Sequence, residues 1–313
     1  MGDLHVHSLL VTGANRGIGL ELVRQFLGMP SPPTWVFAAC RDPKGQRAQE
    51  LQNLASKHPN LVIIPLEVTD PASIKAAAAR VGEHLQGSGL NLLINNAGTA
   101  KASSLDDETL ENMTQIYTTN TVGPLLLGQA FLPLLKKAAQ GTPGSALNCS
   151  KAAIINMSSS AGSIEEVFLW NYGQVVSYRC SKAALNMLTK CQSLRYRDCG
   201  VLCAALHPGW VQTDMGGSGS QKEPEHRCVH SPHTSNGGTA SPVGTNELNS
   251  ASGVHKDSAG DPLVKPKKEV EIVEEMFPSH PPATAVNPEG RRDKDGKPVA
   301  RCISNAQESH RRW

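Results

Sequence analysis

Between residues 9 and 206, short apolar runs alternate with stretches in which apolar side chains recur every three or four positions, the pattern of strands joined by helices. The runs predict strands at 9–12, 35–40, 61–68, 90–95, 152–157 and 201–206. They are apolar at nearly every position instead of every second one, as parallel strands buried on both faces require. Between the first two, Ile18, Leu22 and Phe26 recur on one helical face, and Gly28 followed by Pro30 stops the helix. Further helices are predicted in the Ala-rich stretch after Pro71, over 106–137 and over 178–197. This alternation predicts an α/β fold, a doubly wound parallel sheet with helices on both faces.

The pattern stops near Gly217. Of the 313 residues, the last 96 hold only Phe277 and Trp313 of the thirteen aromatics, and only 13 Leu, Ile, Val and Phe. Gly, Pro and Ser make up 29 of the same 96, so this segment has too little apolar surface to offset the entropy of ordering it. Residues 1–217 are therefore expected to form the folded domain, and 218–313 a low-complexity, disordered tail. One island, residues 267–277, could form a helix or strand, or dock on a partner.

Composition then narrows the function. With 30 Lys and Arg against 28 Asp and Glu, the chain lacks the basic excess of a nucleic-acid binder. No apolar run reaches the roughly 18 residues of a membrane span, and the start has no basic segment followed by an apolar one. A cytoplasmic protein with neither a nucleic-acid nor a membrane partner is expected. The eight cysteines are scattered as free thiols are, and Cys199 and Cys203, which bracket the last strand, are expected to be buried. His226, Cys228, His230 and His233 offer zinc-type ligand atoms without a finger spacing, and no metal site is expected. The Asn-x-Ser/Thr triplets at Asn112, Asn148 and Asn156 are expected to be incidental.

Directly after the first strand comes Thr12-Gly13-Ala14-Asn15-Arg16-Gly17-Ile18-Gly19, which opens into a helix. In a dinucleotide (Rossmann-type) site Gly13 makes the tight turn, Gly17 lets the backbone approach a pyrophosphate, and Gly19 lets helix and strand pack closely. The second strand ends Ala39-Cys40-Arg41, with Cys40 where an acid would hold the ribose 2′-hydroxyl of NAD. Arg41 and Arg16 could instead hold the 2′-phosphate of NADP through charge-assisted hydrogen bonds, so NADP(H) is favoured. Alternatively, Arg41 pairs with a surface acid such as Asp42.

Of the four tyrosines only Tyr178 has a lysine four residues on, Lys182, on the same helical face. A nearby ammonium favours the phenolate, so this spacing is expected to lower the tyrosine pKa and suit proton transfer to a carbonyl oxygen.

The order of motifs resembles the short-chain dehydrogenase/reductase family: Thr12 to Gly19, Asn95-Asn96-Ala97-Gly98, Ser158-Ser159-Ser160, Tyr178 to Lys182, then Pro208-Gly209. Asn120 to Pro124, Ile154 to Ser159 and His207 to Val211 look most like the carbonyl reductases of the sniffer and C-factor-like group. The resemblance covers about residues 7 to 217. It implies Tyr178 as general acid, with Lys182 holding the nicotinamide ribose and lowering the tyrosine pKa. Ser159 would hydrogen-bond the substrate carbonyl, with Ser158 and Ser160 close enough to leave the choice open. Asn120 would support a water between Lys182 and solvent. Asn95 to Gly98 would line the cofactor floor or simply end the strand, and Glu67 and Val68 would lie beside the adenine. Pro208, Gly209, Val211 and Thr213 would lie against the nicotinamide.

The reaction so implied is reduction of a small-molecule ketone, aldehyde or quinone carbonyl by NADPH. The stretch from Ala161 to Ser177, with Val167, Phe168, Leu169, Trp170 and Tyr172, is expected to wall an apolar substrate pocket or to cover an oligomerisation face; the oligomeric state stays open. Relatives usually continue with a covering helix and a final strand, and Gly216-Gly217 leads instead into the tail, so the last strand is expected to be missing. A reductase or a catalytically weak dinucleotide-fold protein that binds partners through its tail are the two functions in view.

Overall fold

The computed structural model describes residues 5–141, 147–165, 167, 170, 173–209, 211 and 213. Phe168, Leu169, Tyr172, Trp210, the four candidate zinc ligands, the 267–277 island and the rest of the expected tail lie outside the described residues.

All six predicted strands form: β1 (Ser8–Thr12), β2 (Trp35–Cys40), β3 (Leu61–Pro65), β4 (Leu92–Asn95), β5 (Ala153–Met157) and β6 (Leu202–Leu206). Every pairing is parallel, in the order β3-β2-β1-β4-β5-β6. Neighbouring side chains of β1 explain why the strands carry no polar alternation. Leu9 and Val11 enter a core layer with Leu22 and Phe26 of α1 (Gly17–Leu27) and Leu51 of α2 (Gln49–Ala55). Leu10 enters the opposite layer with Ile74 and Val81 of α3 (Pro71–Leu85), and with Phe131 from a later helix. With both faces covered, an apolar side chain is needed at each position.

Three expectations are corrected. α2 was not foreseen, because it is only seven residues long and its apolar stripe, Leu51, Leu54 and Ala55, spans barely one turn, with Leu51 alone fully buried. The predicted strand over 61–68 ends at Pro65, and that over 90–95 begins at Leu92. The single helix over 106–137 is two, α4 (Leu110–Tyr117) and α5 (Gly123–Gly141), joined by a π-turn at Thr118–Val122. It starts late because Thr109 caps α4 by accepting from the Asn112 N–H at 3.1 Å. It breaks where the Gly123 N–H returns to the Thr118 carbonyl, one residue before Pro124, which has no N–H for the Asn120 carbonyl; Pro133, further on, is carried within α5. The last helix, α6 (Val176–Tyr196), packs on β6 and α4. Cys203 is buried as expected, whereas Cys199 is only partly so. Asn112 and Asn156 are buried with their amides donating to neighbours, so neither is an accessible acceptor for a glycan. No helix among the described residues is long and apolar enough to cross a membrane.

Candidate active site

The carboxyl ends of the strands open onto a cleft of about 950 Å³, at the place where the chain order reverses between β1 and β4. Two glycines, Gly13 on its floor and Gly19 behind it, set the turn. Gly13 leaves β1 with φ +65°, and a Cβ there would sit 3.0 Å from the Ala97 Cα; a Cβ on Gly19 would overlap the Gly13 carbonyl and lie 2.5 Å from Asn96 Nδ2. No larger residue fits either position without moving backbone. Thr12 Oγ1 accepts from the Asn96 and Ala97 N–H groups, both at 3.0 Å, and Asn96 Nδ2 donates to the Thr12 carbonyl at 2.9 Å. The ends of β1 and β4 are thereby bolted together. α1 begins with neither a side-chain cap at Arg16 nor an acid in its first turn, which suits its N–H groups to an anion.

Most of the residues singled out in the sequence line this one cleft: Gly13, Asn15, Arg16, Gly17, Ile18, Arg41, Glu67, Val68, Asn96, Ala97, Gly98, Ser158, Tyr178, Lys182, Pro208 and Thr213. Thr12, Gly19, Asn95, Asn120, Ser159, Gly209 and Val211 do not. Thr12 and Gly19 lie behind the floor, and Asn95 turns into the sheet, where its Nδ2 donates to Asn156 Oδ1 at 2.8 Å. Gly209 turns the chain at φ +78°, and Val211 packs into the core. Asn120 and Ser159 stand behind the lining, next to Ser181 and Tyr178. Asn95 thus ends its strand within the sheet, and the next three residues line the cleft.

Arg16, Arg41, Cys40 and Asp42 meet at one end of the cleft, together with Gln46 and Arg47 from the 3-10 turn Gln46–Ala48. Arg47 escaped the sequence reading because it lies outside the glycine loop and the strand end, and no motif marks it. Arg41 Nε lies 3.9 Å from Glu67 Oε2, with the arginine 78% exposed, so this contact contributes little. Asp42 instead accepts from the Lys44 N–H at 3.1 Å. Burial, and secondarily the Asp42 charge, push the Cys40 thiol up to about 11, so Cys40 stays neutral where an acid would repel a phosphate.

At the other end α6 brings Tyr178 and Lys182 to the cleft. Lys182 is 5% exposed, its Nζ lies 5.5 Å from the Tyr178 ring centre, and it donates to the Met157 carbonyl at 2.7 Å. The Tyr178 hydroxyl shares a hydrogen bond with Ser159, whose Oγ also accepts from the Ala161 N–H at 3.1 Å. Ser158 is turned elsewhere and donates to Asn186 Oδ1 at 2.6 Å; Ser160 opens the 3-10 turn Ser160–Gly162. Asn120 is fully committed. Its Oδ1 accepts from the Thr99 N–H at 2.9 Å, and its Nδ2 donates to the Thr99 carbonyl and to Ser181 Oγ. Ser181 in turn donates to the Tyr178 carbonyl at 2.8 Å, so the π-turn braces α6.

The protonation balance differs from the sequence expectation. Burial raises the Tyr178 phenol above its ordinary value, with the Ser159 hydrogen bond opposing, and burial brings Lys182 down to about 8. The expected depression of the phenol by the ammonium is overturned, because desolvation acts on both groups and the ammonium is aimed at a carbonyl rather than at the hydroxyl.

The family model described as short chain dehydrogenase matches residues 7–224. An NADPH-bound carbonyl reductase from chicken fatty liver is 73% identical, with 70% of this chain and 81% of that chain covered and a TM-score of 0.69. The carbonyl reductase Sniffer of D. melanogaster is 41% identical, covering 68% of this chain and 85% of its own, with a TM-score of 0.65. A short chain dehydrogenase of Penicillium aethiopicum is 34% identical over 214 residues, 68% of this chain and 78% of its own. A cleft floored by the glycine turn, a tyrosine and lysine one helical turn apart on its wall, and these matches place the chain in the short-chain dehydrogenase family.

Proposed function

We propose that this chain is an NADPH-dependent carbonyl reductase in which Tyr178 delivers the proton. The observation that carries the reading is that Tyr178 and Lys182 line the cleft floored by Gly13 and Gly17, with Ser159 against the Tyr178 hydroxyl behind that lining. The reading places the reductase domain in residues 1–217, which carry every one of its site residues. The cleft fits a nicotinamide dinucleotide. Gly13 and Gly19 have the close backbone packing that a pyrophosphate turn needs, and the cluster of Arg16, Arg41 and Arg47 beside neutral Cys40 suits a 2′-phosphate dianion. The NADPH-bound chicken relative supports the same choice. When bound, NADPH supplies the hydride that reduces the carbonyl carbon.

The chain's own groups do the rest. Tyr178 and Ser159 donate hydrogen bonds to the carbonyl oxygen, where negative charge develops, and Tyr178 passes its proton there as the alkoxide forms. A phenol whose pKa is raised by burial holds its proton until that charge appears. Lys182, kept close to neutrality by burial, carries either charge state near physiological pH and can return a proton to Tyr178. Asn120 holds Thr99 and Ser181 in register beneath the pair and has no side-chain donor to spare. Glu67 and Val68 border the adenine region, and Pro208 and Thr213 the nicotinamide region. The test is turnover: purified protein given a quinone or an aromatic ketone should consume NADPH and yield one alcohol or hydroquinone per NADP formed, with NADH much poorer. No carbonyl-dependent oxidation across such a panel would reject the reading.

A further inference from the structure

The element that carries Tyr178 starts badly on its own account. α6 has no side-chain cap and no acidic residue in its first turn. Its N-cap, Val175, adopts φ +40° and ψ 50°, a left-handed conformation that a β-branched residue rarely takes. Such a helix start holds only if its surroundings over-determine it.

The surroundings come from the loop between β4 and α4. Glu108 accepts from the Ser177 N–H at 3.2 Å and from the Ser177 hydroxyl, so a carboxylate from another element does the work of an N-cap. The same carboxylate accepts from Asn112 Nδ2 and Ser103 Oγ, both at 2.5 Å, and Asn112 Nδ2 also donates to Ser177 Oγ at 3.1 Å. A second tie joins the loops, with the Leu105 N–H donating to Gln174 Oε1 at 2.6 Å. Four groups thus meet one residue before Tyr178. None of them lines the cleft, and the dinucleotide reading leaves all of them unused.

We propose that Glu108 is a positioning residue for Tyr178: by capping α6 through Ser177 from across the β4–α4 loop, it fixes the first turn of that helix and so holds the phenol at Ser159. The hydrogen bonds from Ser103, Ser177 and Asn112 hold the Glu108 carboxyl well below the usual range, at about 2, so the clamp is charged at every pH at which the protein would work. A displacement of the helix start by a fraction of an ångström changes the distance from the phenol to a carbonyl oxygen, to which proton transfer is sharply sensitive. In this form the inference rests on the reductase reading for its catalytic consequence but not for the clamp itself.

Two readouts on full-length protein separate the two. In the first, amide hydrogen exchange over residues 175–182 is compared between wild type and Glu108→Ala, with β1 to β4 as internal control for folding. Exchange at the helix start should quicken about tenfold while the control strands stay unchanged. In the second, kcat with a quinone should fall about tenfold in Glu108→Ala, with the Kd for NADPH within twofold of wild type, as lost alignment predicts. Glu108→Gln should recover most of the rate, since its amide oxygen still accepts from Ser177 and the Asn112 amide, whose Nδ2 donates to the carboxylate in the wild type, can turn over to accept from the new N–H₂ through its Oδ1, which has no partner among the described residues. Should Glu108→Ala not fold, Ser177→Ala, which removes one hydroxyl only, carries both readouts. Unchanged exchange at the helix start overturns the clamp. A wild-type kcat in Glu108→Ala, or no recovery in Glu108→Gln, overturns its role in positioning. Faster exchange in a protein whose wild type reduces no carbonyl would leave the clamp standing and remove only the reductase reading.

Discussion

At the glycine-loop end of the cleft the wall is backbone, whereas at the α6 end it is side chains. Thr12 and Asn96 spend their polar groups on tying β1 to β4, so the loop's shape depends on what is missing, the Cβ atoms of Gly13 and Gly19. The α6 end depends on what is present: a buried ammonium held by the Met157 carbonyl, a phenol held by Ser159, and an asparagine with every donor engaged. Adding atoms should damage the first end, and removing them the second. The two ends also differ in electrostatics. Three exposed or half-exposed arginines gather where a dianion would bind, and a single desolvated cation sits where charge moves during reaction.

The largest effect is expected from Lys182. Below pH 8 the folded protein must keep this ammonium in a buried site; between pH 8 and 10.5 only the unfolded chain holds the proton, so the residue's contribution to stability rises with pH through that window. Against Lys182→Met, wild type should gain about 3 kcal/mol as pH crosses it, read by urea unfolding on either side. Equal pH dependence in the two proteins would mean that the lysine is solvated. Asn120→Ala takes the side-chain partner from the Thr99 N–H and carbonyl and the donor from Ser181 Oγ, and should cost about 2–3 kcal/mol in the same assay, against almost nothing for an exposed asparagine.

Gly19→Ala tests the opposite end, where an added methyl meets the Gly13 carbonyl: a loss of about 2 kcal/mol with weakened NADPH binding is expected. Normal NADPH affinity in that variant would show that the turn yields easily. The mildest change should come from Arg41→Ala or Arg47→Ala, each raising the Kd for NADPH about tenfold while leaving NADH unchanged. A matching loss for NADH would place these arginines away from the 2′-phosphate.

The contrast between the two ends also explains what could be read from the sequence. The six strands and the glycine turn were legible because burial on two faces and a Cβ-free turn each leave a local residue pattern. Tyr178 and Lys182 were legible as a spacing, but the direction of their pKa shifts was not: that depends on the Met157 carbonyl and on enclosure, both set by distant parts of the chain. Likewise α2 hid because its stripe of Leu51, Leu54 and Ala55 covers barely one turn, and the π-turn because Thr118 to Pro124 sit within an otherwise helical run. Arg47 and Glu108 were missed for the same reason. Each acts across a gap of tens of residues, Glu108 reaching Ser177 at a separation of 69, and nothing local distinguishes either from a surface charge.

The central claim is that Tyr178 gives the proton in a cleft that NADPH occupies independently of it. Steady-state turnover and NADPH binding of Tyr178→Phe test both halves together: kcat should fall about a thousandfold with the Kd for NADPH within twofold of wild type. An undiminished kcat in that variant would contradict the account.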